Sequence, residues 1–171
     1  MDFKERVYSV LVVSTSEKFN AATADYFAVP TFSPVQTVSG VSVAKRALAE
    51  RDFDFVVVNS PVGEDVGIRF SIDAATDSNA VVLFLAKTEQ YDLAYEKLAE
   101  HGVFLMQKPI SRPVFSIAVD WLISAREGLR KNQKKTELTT RACASWKAVK
   151  LFIVTKGALK MYQSGLNWAP E

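Results

Sequence analysis

Four short apolar runs punctuate the first two-thirds of the chain: Val7–Val13 (VYSVLVV), Phe55–Val58 followed by Asn59, Ala80–Ala86 (AVVLFLA) and Val103–Gln107 (VFLMQ). They lack the polar alternation of a half-exposed strand. Strands apolar on both faces belong to a parallel sheet covered by helices on either side. A weaker fifth strand is expected near Pro34–Val38.

Helical periodicity fills the gaps. Ser16–Phe27 places Phe19, Ala22, Thr23 and Tyr26 on one face, with Ser16 as N-cap. Val41–Arg51 repeats the pattern with Val41, Ala44, Ala47 and Leu48, and a shorter helix is expected over Val66–Ala75. Glu89–His101 carries Leu93, Tyr95, Leu98 and Ala99 and stops at Gly102, a good residue to end a helix; His101 is read as a partner of that helix end. Strand and helix alternate five times, and right-handed crossovers then give an α/β, doubly wound, five-stranded parallel sheet of flavodoxin-like type.

The last helix is the longest. Ser111 is its expected cap and Pro113 suits its first turn. Val114, Ile117, Ala118, Trp121, Leu122, Ala125 and Leu129 follow as a stripe longer than a compact five-stranded domain needs. Such a stripe, carried past the domain on a helix, is the pattern of a short coiled coil and a dimer stem; the alternative is a surface helix fraying into a linker. Past Ala125 the chain turns to REGLRKNQKK, which reads as solvent-facing. The expected organisation is a domain over 1–125, an extended helix over 112–135 and a basic tail over 136–171. Within that tail, Leu151–Thr155 reads as strand-like.

With 171 residues, 49% of them apolar and 23% charged, the chain has material for one folded domain and an appendage, and pervasive disorder is excluded. The single cysteine, Cys143, cannot bridge internally, which suits a reducing compartment. No signal peptide and no apolar stretch of membrane-spanning length is visible, so a soluble cytoplasmic chain is expected. Charge is uneven. Residues 1–125 hold 11 basic and 16 acidic side chains, net −5, whereas 126–171 hold 10 and 3, net +7. Two readings of the basic end stand: a surface for a polyanion, or a solubilising tail.

Chemistry in a doubly wound sheet gathers outside the carboxyl ends of the strands. Here those positions hold Ser14, Thr15 and Ser16, then Asn59, Ala86, and the pair Lys108-Pro109. Together with 59-NSPVGEDVG-67, in which Gly67 stands eight residues beyond Asn59, this arrangement over roughly residues 5–130 resembles the receiver domain of bacterial two-component response regulators. The resemblance implies a phosphoacceptor aspartate where Asn59 stands, acidic magnesium ligands where Ser14 and Thr15 stand, a Thr or Ser hydroxyl where Ala86 stands, and a switching aromatic where Leu105 stands. Every one of these departures removes the same function. An amide is a poor nucleophile, a hard cation wants anionic oxygens, and Lys108 repels a dication. Glu17, Glu64 and Asp65 lie near in sequence, able to act only through water. The expectation is a degenerate pocket without metal or cofactor, in which Lys108 donates to Asn59, Ser14 or a backbone carbonyl.

The opening VYSVLVVSTSEKF, the degenerate pocket and the long SRPVFSIAVDWLISAREGLRK helix are also similar to the subset of receivers joined through a coiled coil to an ANTAR module, a three-helix RNA-binding unit of transcription antitermination. That likeness implies a non-enzymatic, homodimeric regulator of gene expression with RNA and protein signalling partners. The tail departs from it: 36 residues after Lys135 are too few for a stem and three ordinary helices. Arg130, Lys131, Lys134, Lys135, Arg141, Lys147 and Lys150 could meet phosphates, and Trp146, Phe152 and Tyr162 could stack on bases. Alternatively, Trp146, Val149, Phe152 and Tyr162 form a hydrophobic dimer contact or lie in a poorly ordered segment. Two further readings of the carboxyl edge stay open: a small-molecule or flavin binder echoed in Ser14-Thr15-Ser16, and a receiver phosphorylated on Ser60.

Overall fold

The structure, a computed structural model, describes residues 6–62 and 67–163, with side chains to residue 137. Five strands and five helices alternate: β1 (Tyr8–Val13), α1 (Glu17–Tyr26), β2 (Phe32–Val38), α2 (Val41–Glu50), β3 (Phe55–Asn59), α3 (Ile68–Asp77), β4 (Val81–Ala86), α4 (Tyr91–Leu98), β5 (Phe104–Gln107) and α5 (Arg112–Gln163). The sheet is wholly parallel in the order β2-β1-β3-β4-β5, the flavodoxin-like arrangement. The chain reverses direction across the sheet between β1 and β3, which puts the switch point at their carboxyl ends.

The apolar runs become strands because neighbouring residues serve opposite cores. Leu11, Val13, Val56, Val58, Val82 and Phe84 pack with Ala44, Ala47, Phe70, Ala74, Ala94 and Leu98 of α2, α3 and α4. Tyr8, Val10, Val12, Phe55, Val57 and Leu83 pack with Phe27, Phe115, Ala118, Val119 and Leu122 on the other face. Phe115 joins α5 to α1: its ring meets that of Tyr26 edge-on, 5.1 Å between centroids, and burial of such a ring contributes roughly 2–3 kcal/mol. The Tyr26 hydroxyl lies 3.1 Å from Ser116 Oγ.

Several expectations are corrected. In α1 the inward residues are Thr23, Phe27 and, in part, Phe19 and Tyr26, while Ala22 is exposed. Ser16 does cap that helix, accepting the Phe19 N–H at 3.4 Å. Helix α3 starts later than Val66 because Gly67 takes a left-handed backbone (φ +82) and forms its N-cap. The segment before Gly102 breaks into a 3-10 turn (Thr88–Gln90), α4 and a second 3-10 turn (Ala99–His101). Its buried side chains are Ala94 and Leu98; Leu93 and Tyr95 are exposed because they lie to either side of Ala94 on the helix. Gly102 has φ +69, as a helix-ending glycine should.

Helix α5 overturns two readings. It runs unbroken to Gln163, so Leu151–Thr155 is helical rather than strand-like. A lone strand has no neighbour for its backbone groups, whereas a helix satisfies them within itself. Arg126 and Glu127 are also buried, although the run they open reads as solvent-facing. The first compact unit, Met1–Arg126, closes on that arginine, and the second is Glu127–Glu171.

Candidate functional site

Residues that end three parallel strands meet at the carboxyl edge. Ser14 follows β1 and is held by its N–H to the Val38 carbonyl (2.9 Å); Asn59 ends β3; Lys108 follows β5 and is held by its N–H to the Ala86 carbonyl (2.8 Å). Parallel pairing in register thus brings positions 45 and 49 residues apart within hydrogen-bond reach.

The side chains form one relay. Lys108 Nζ donates to Asn59 Oδ1 (2.8 Å) and to the Ser60 carbonyl. Asn59 Nδ2 donates to Ser14 Oγ (2.9 Å), which also accepts the Ser16 N–H (3.1 Å). The ammonium has only donors, so the amide must turn its oxygen to Lys108 and its NH2 to the serine. Ser14 and Asn59 are buried, and each hydrogen bond there substitutes for lost water. Burial, and then the charge of Lys87, lower the Lys108 pKa below its ordinary 10.5.

Ala86 is fully buried and offers only a methyl group, while Thr15 is exposed at the mouth. Leu105 is half-buried against the core. The residues standing at the acceptor and acidic positions, Asn59, Ser14 and Thr15, do not fit a magnesium ion: they present neutral oxygens and an ammonium lies against Asn59. Among the described residues no three His, Cys, Asp or Glu side chains group so as to hold a metal ion. Glu64 and Asp65 lie outside the described residues, and Glu17 is exposed in the first turn of α1.

Sequence reasoning singled out Ser60 only as an alternative acceptor and missed the other groups that complete this edge. Ser60 is fully buried and its hydroxyl lies 3.4 Å from Gln90 Oε1. Asn20 reaches back from α1 to the Ser14 carbonyl (3.4 Å), and Gln107 Nε2 donates to Thr88 Oγ1 (3.0 Å). Their signals were positional only, since polar residues flanking strand ends are common everywhere.

The stripe on α5 divides between two tasks. Ala118 and Leu122 are buried in the core and Ala125 is partly buried against it, whereas Val114, Ile117, Trp121 and Leu129 are exposed, Trp121 by 58%. Lys131, Lys134 and Lys135 are exposed on the helix, and Arg130 pairs with Glu127 at 3.3 Å. The side chains of Arg141, Cys143, Trp146, Lys147, Val149, Lys150, Phe152 and Tyr162 lie outside the described residues. No described helix is long and apolar enough to cross a membrane.

At the opposite, amino end of the sheet a second polar network appears that no motif announced. Arg126 Nε bonds Asp54 Oδ1 (2.8 Å) and its Nη1 bonds the Asn79 carbonyl (2.7 Å). Asp54 Oδ2 accepts from the Ser9 N–H (3.0 Å) and lies 3.2 Å from Ser9 Oγ.

No family model matches the sequence, and neither does any curated protein. Solved structures do. An adenylate cyclase structure from Rhodopirellula baltica matches with a TM-score of 0.69 at 16% identity, over 77% of this chain and 98% of the other. The signal receiver domain of an HD domain-containing protein from Pseudomonas fluorescens Pf-5 matches with a TM-score of 0.64 at 15% identity, over 74% and 93%. A response regulator receiver domain protein from Clostridium thermocellum matches with a TM-score of 0.62 at 18% identity, over 72% and 99%. At such identities the likeness is one of fold: the sheet and its helices are built as in receiver domains.

Proposed function

We propose that this chain is a pseudo-receiver: a signalling module with the receiver architecture whose reaction centre no longer accepts a phosphoryl group. The relay from Lys108 through Asn59 to Ser14 carries this reading. In-line phosphoryl transfer needs a carboxylate nucleophile and a cation to neutralise charge. Here the acceptor position holds an amide already committed on both ends, Asn59 Oδ1 to the ammonium and Nδ2 to Ser14. Ser60 is a poor substitute, because its hydroxyl is buried beside Gln90 and no base adjoins it among the described residues.

On this reading the output is a constant surface rather than a phosphate-driven one. The exposed Val114, Ile117 and Trp121 support a homodimer through α5, and the cations Arg130, Lys131, Lys134 and Lys135 support contact with RNA and hence a role in gene regulation of the antitermination kind. The module works by association and not by turnover. Incubation of the full chain with acetyl phosphate and magnesium, followed by intact-mass measurement, is expected to leave the mass unchanged; a stable phosphoryl adduct refutes the reading. RNA contact by several lysines is expected to weaken steeply with added salt. An affinity indifferent to salt refutes that part alone.

A further inference from the structure

Between α1 and the start of α5 lies a cleft of about 240 Å3, with Phe19 and Tyr26 on one wall, Ile110 and Phe115 on the other, and Leu85 of β4 among its lining. Lys108 and Arg112 also line it. The apolar part is aromatic: Phe115 meets Tyr26 and Phe19 edge-on, with centroids 5.1 and 6.4 Å apart. An added ring can join such a cluster in the same geometry. A cavity of roughly 150 Å3 holds benzene, so this one has room for a ring with a short arm.

The charged lining is two cations, Lys108 and Arg112, against one carboxylate, Asp25, and is net positive. Arg112 is paired with Asp25 at 3.4 Å, but both side chains are more than 70% exposed, so the pair is screened and easily exchanged. Lys108 is bonded to the Asn59 amide oxygen and the Ser60 carbonyl, both neutral. Those bonds use two of three ammonium protons. The cleft therefore offers an aromatic lining beside an ammonium that has no carboxylate among the described contacts of Lys108.

We propose that this cleft binds a small aromatic monocarboxylate, with the ring against Phe19, Tyr26 and Phe115 and the carboxylate towards Lys108 and Arg112. Charge complementarity selects the anion, and the cavity size limits the body to one ring. Binding here would give the module a chemical input in place of phosphate. The site goes beyond the pseudo-receiver reading and survives its failure, because a chain that did accept phosphate would still carry the same cleft.

Phenylacetate serves as the probe, with 2-phenylethanol as the neutral analogue of the same skeleton and acetate as the ring-free anion. Titration of the full chain is followed by backbone amide NMR. Saturable shifts are expected within Phe19–Tyr26 and Ile110–Phe115, with a Kd on the order of 0.1–1 mM for a ligand of this size. The alcohol and acetate should each bind at least about tenfold more weakly. Ala22→Trp, on the exposed rim of the cleft, should abolish the shifts, and Lys108→Gln should weaken binding about tenfold. No saturable shift up to about 10 mM phenylacetate, equal affinity for the alcohol, or binding untouched by Ala22→Trp overturns the proposal.

Discussion

Arg126 offers a sharp test of how the first unit is closed. Its guanidinium bonds Asp54 Oδ1 at 2.8 Å and the Asn79 carbonyl at 2.7 Å, and both charged side chains are only 10% exposed. Arg126→Met keeps much of the aliphatic stem but removes every donor. Asp54 then retains the Ser9 N–H and hydroxyl as partners, so its charge is under-compensated rather than abandoned. Removing one partner of a buried pair costs about 3–5 kcal/mol, and the surviving Ser9 bonds argue for the lower end, about 3 kcal/mol. For a domain of this size that lowers Tm by about 10 °C. Urea unfolding followed by circular dichroism should show the lost stability as a shifted midpoint with an unchanged slope. Adding Asp54→Asn closes a double-mutant cycle whose coupling should be about 2 kcal/mol. A cost for Arg126→Met below about 1 kcal/mol, or a coupling near zero, refutes the assignment of the pair as the clamp of α5.

Three further outcomes follow from particular residues. Gly67→Ala should destabilise by about 2 kcal/mol in the same unfolding assay, because φ is +82 and the new Cβ meets Val58 Cγ1 at 3.1 Å; an unchanged midpoint contradicts this. Full-length chain should be dimeric by light scattering, and Ile117→Glu with Trp121→Glu should raise the dimer Kd at least about tenfold without unfolding the protein, since both side chains are exposed; a monomeric wild type refutes the stem. Lys108 has a folded pKa below its ordinary 10.5, so between those two values the unfolded chain binds more protons than the folded one. Wild-type stability should therefore rise with pH relative to Lys108→Gln across that alkaline window, and the penalty should be fully present below the folded pKa. A difference curve that falls with pH would falsify the stated cause.

Much of this architecture is legible along the chain because the parallel strands are buried on both faces, so VYSVLVV and AVVLFLA announce themselves without alternation. The edge strand β2 reads weakly for the complementary reason: only its two end residues are buried, and those between are half-buried or exposed, with Pro34 among them. Ser14, Asn59 and Lys108 could be placed together because each closes a strand and parallel pairing does the rest. Helix faces were harder. Leu93 and Tyr95 carry far more apolar surface than Ala94, yet the sheet accepts the small residue and leaves the large ones outside. The Arg126–Asp54 pair had no local signal at all, since its members are 72 residues apart and Arg126 opens a charged run. The stripe on α5 held two overlapping signals, one for the core and one for the outer surface, which periodicity alone does not separate.

The central claim concerns charge at the carboxyl edge, and a magnesium titration reads it without any phosphoryl donor. Amide NMR of the full chain, including the Asn59 side-chain NH2, should show no saturable shift at Ser14, Asn59, Ala86 or Lys108 up to about 20 mM magnesium. A saturable response centred on those residues, with a Kd in the low millimolar range or below, means that a cation is held where the account places an ammonium, and contradicts it.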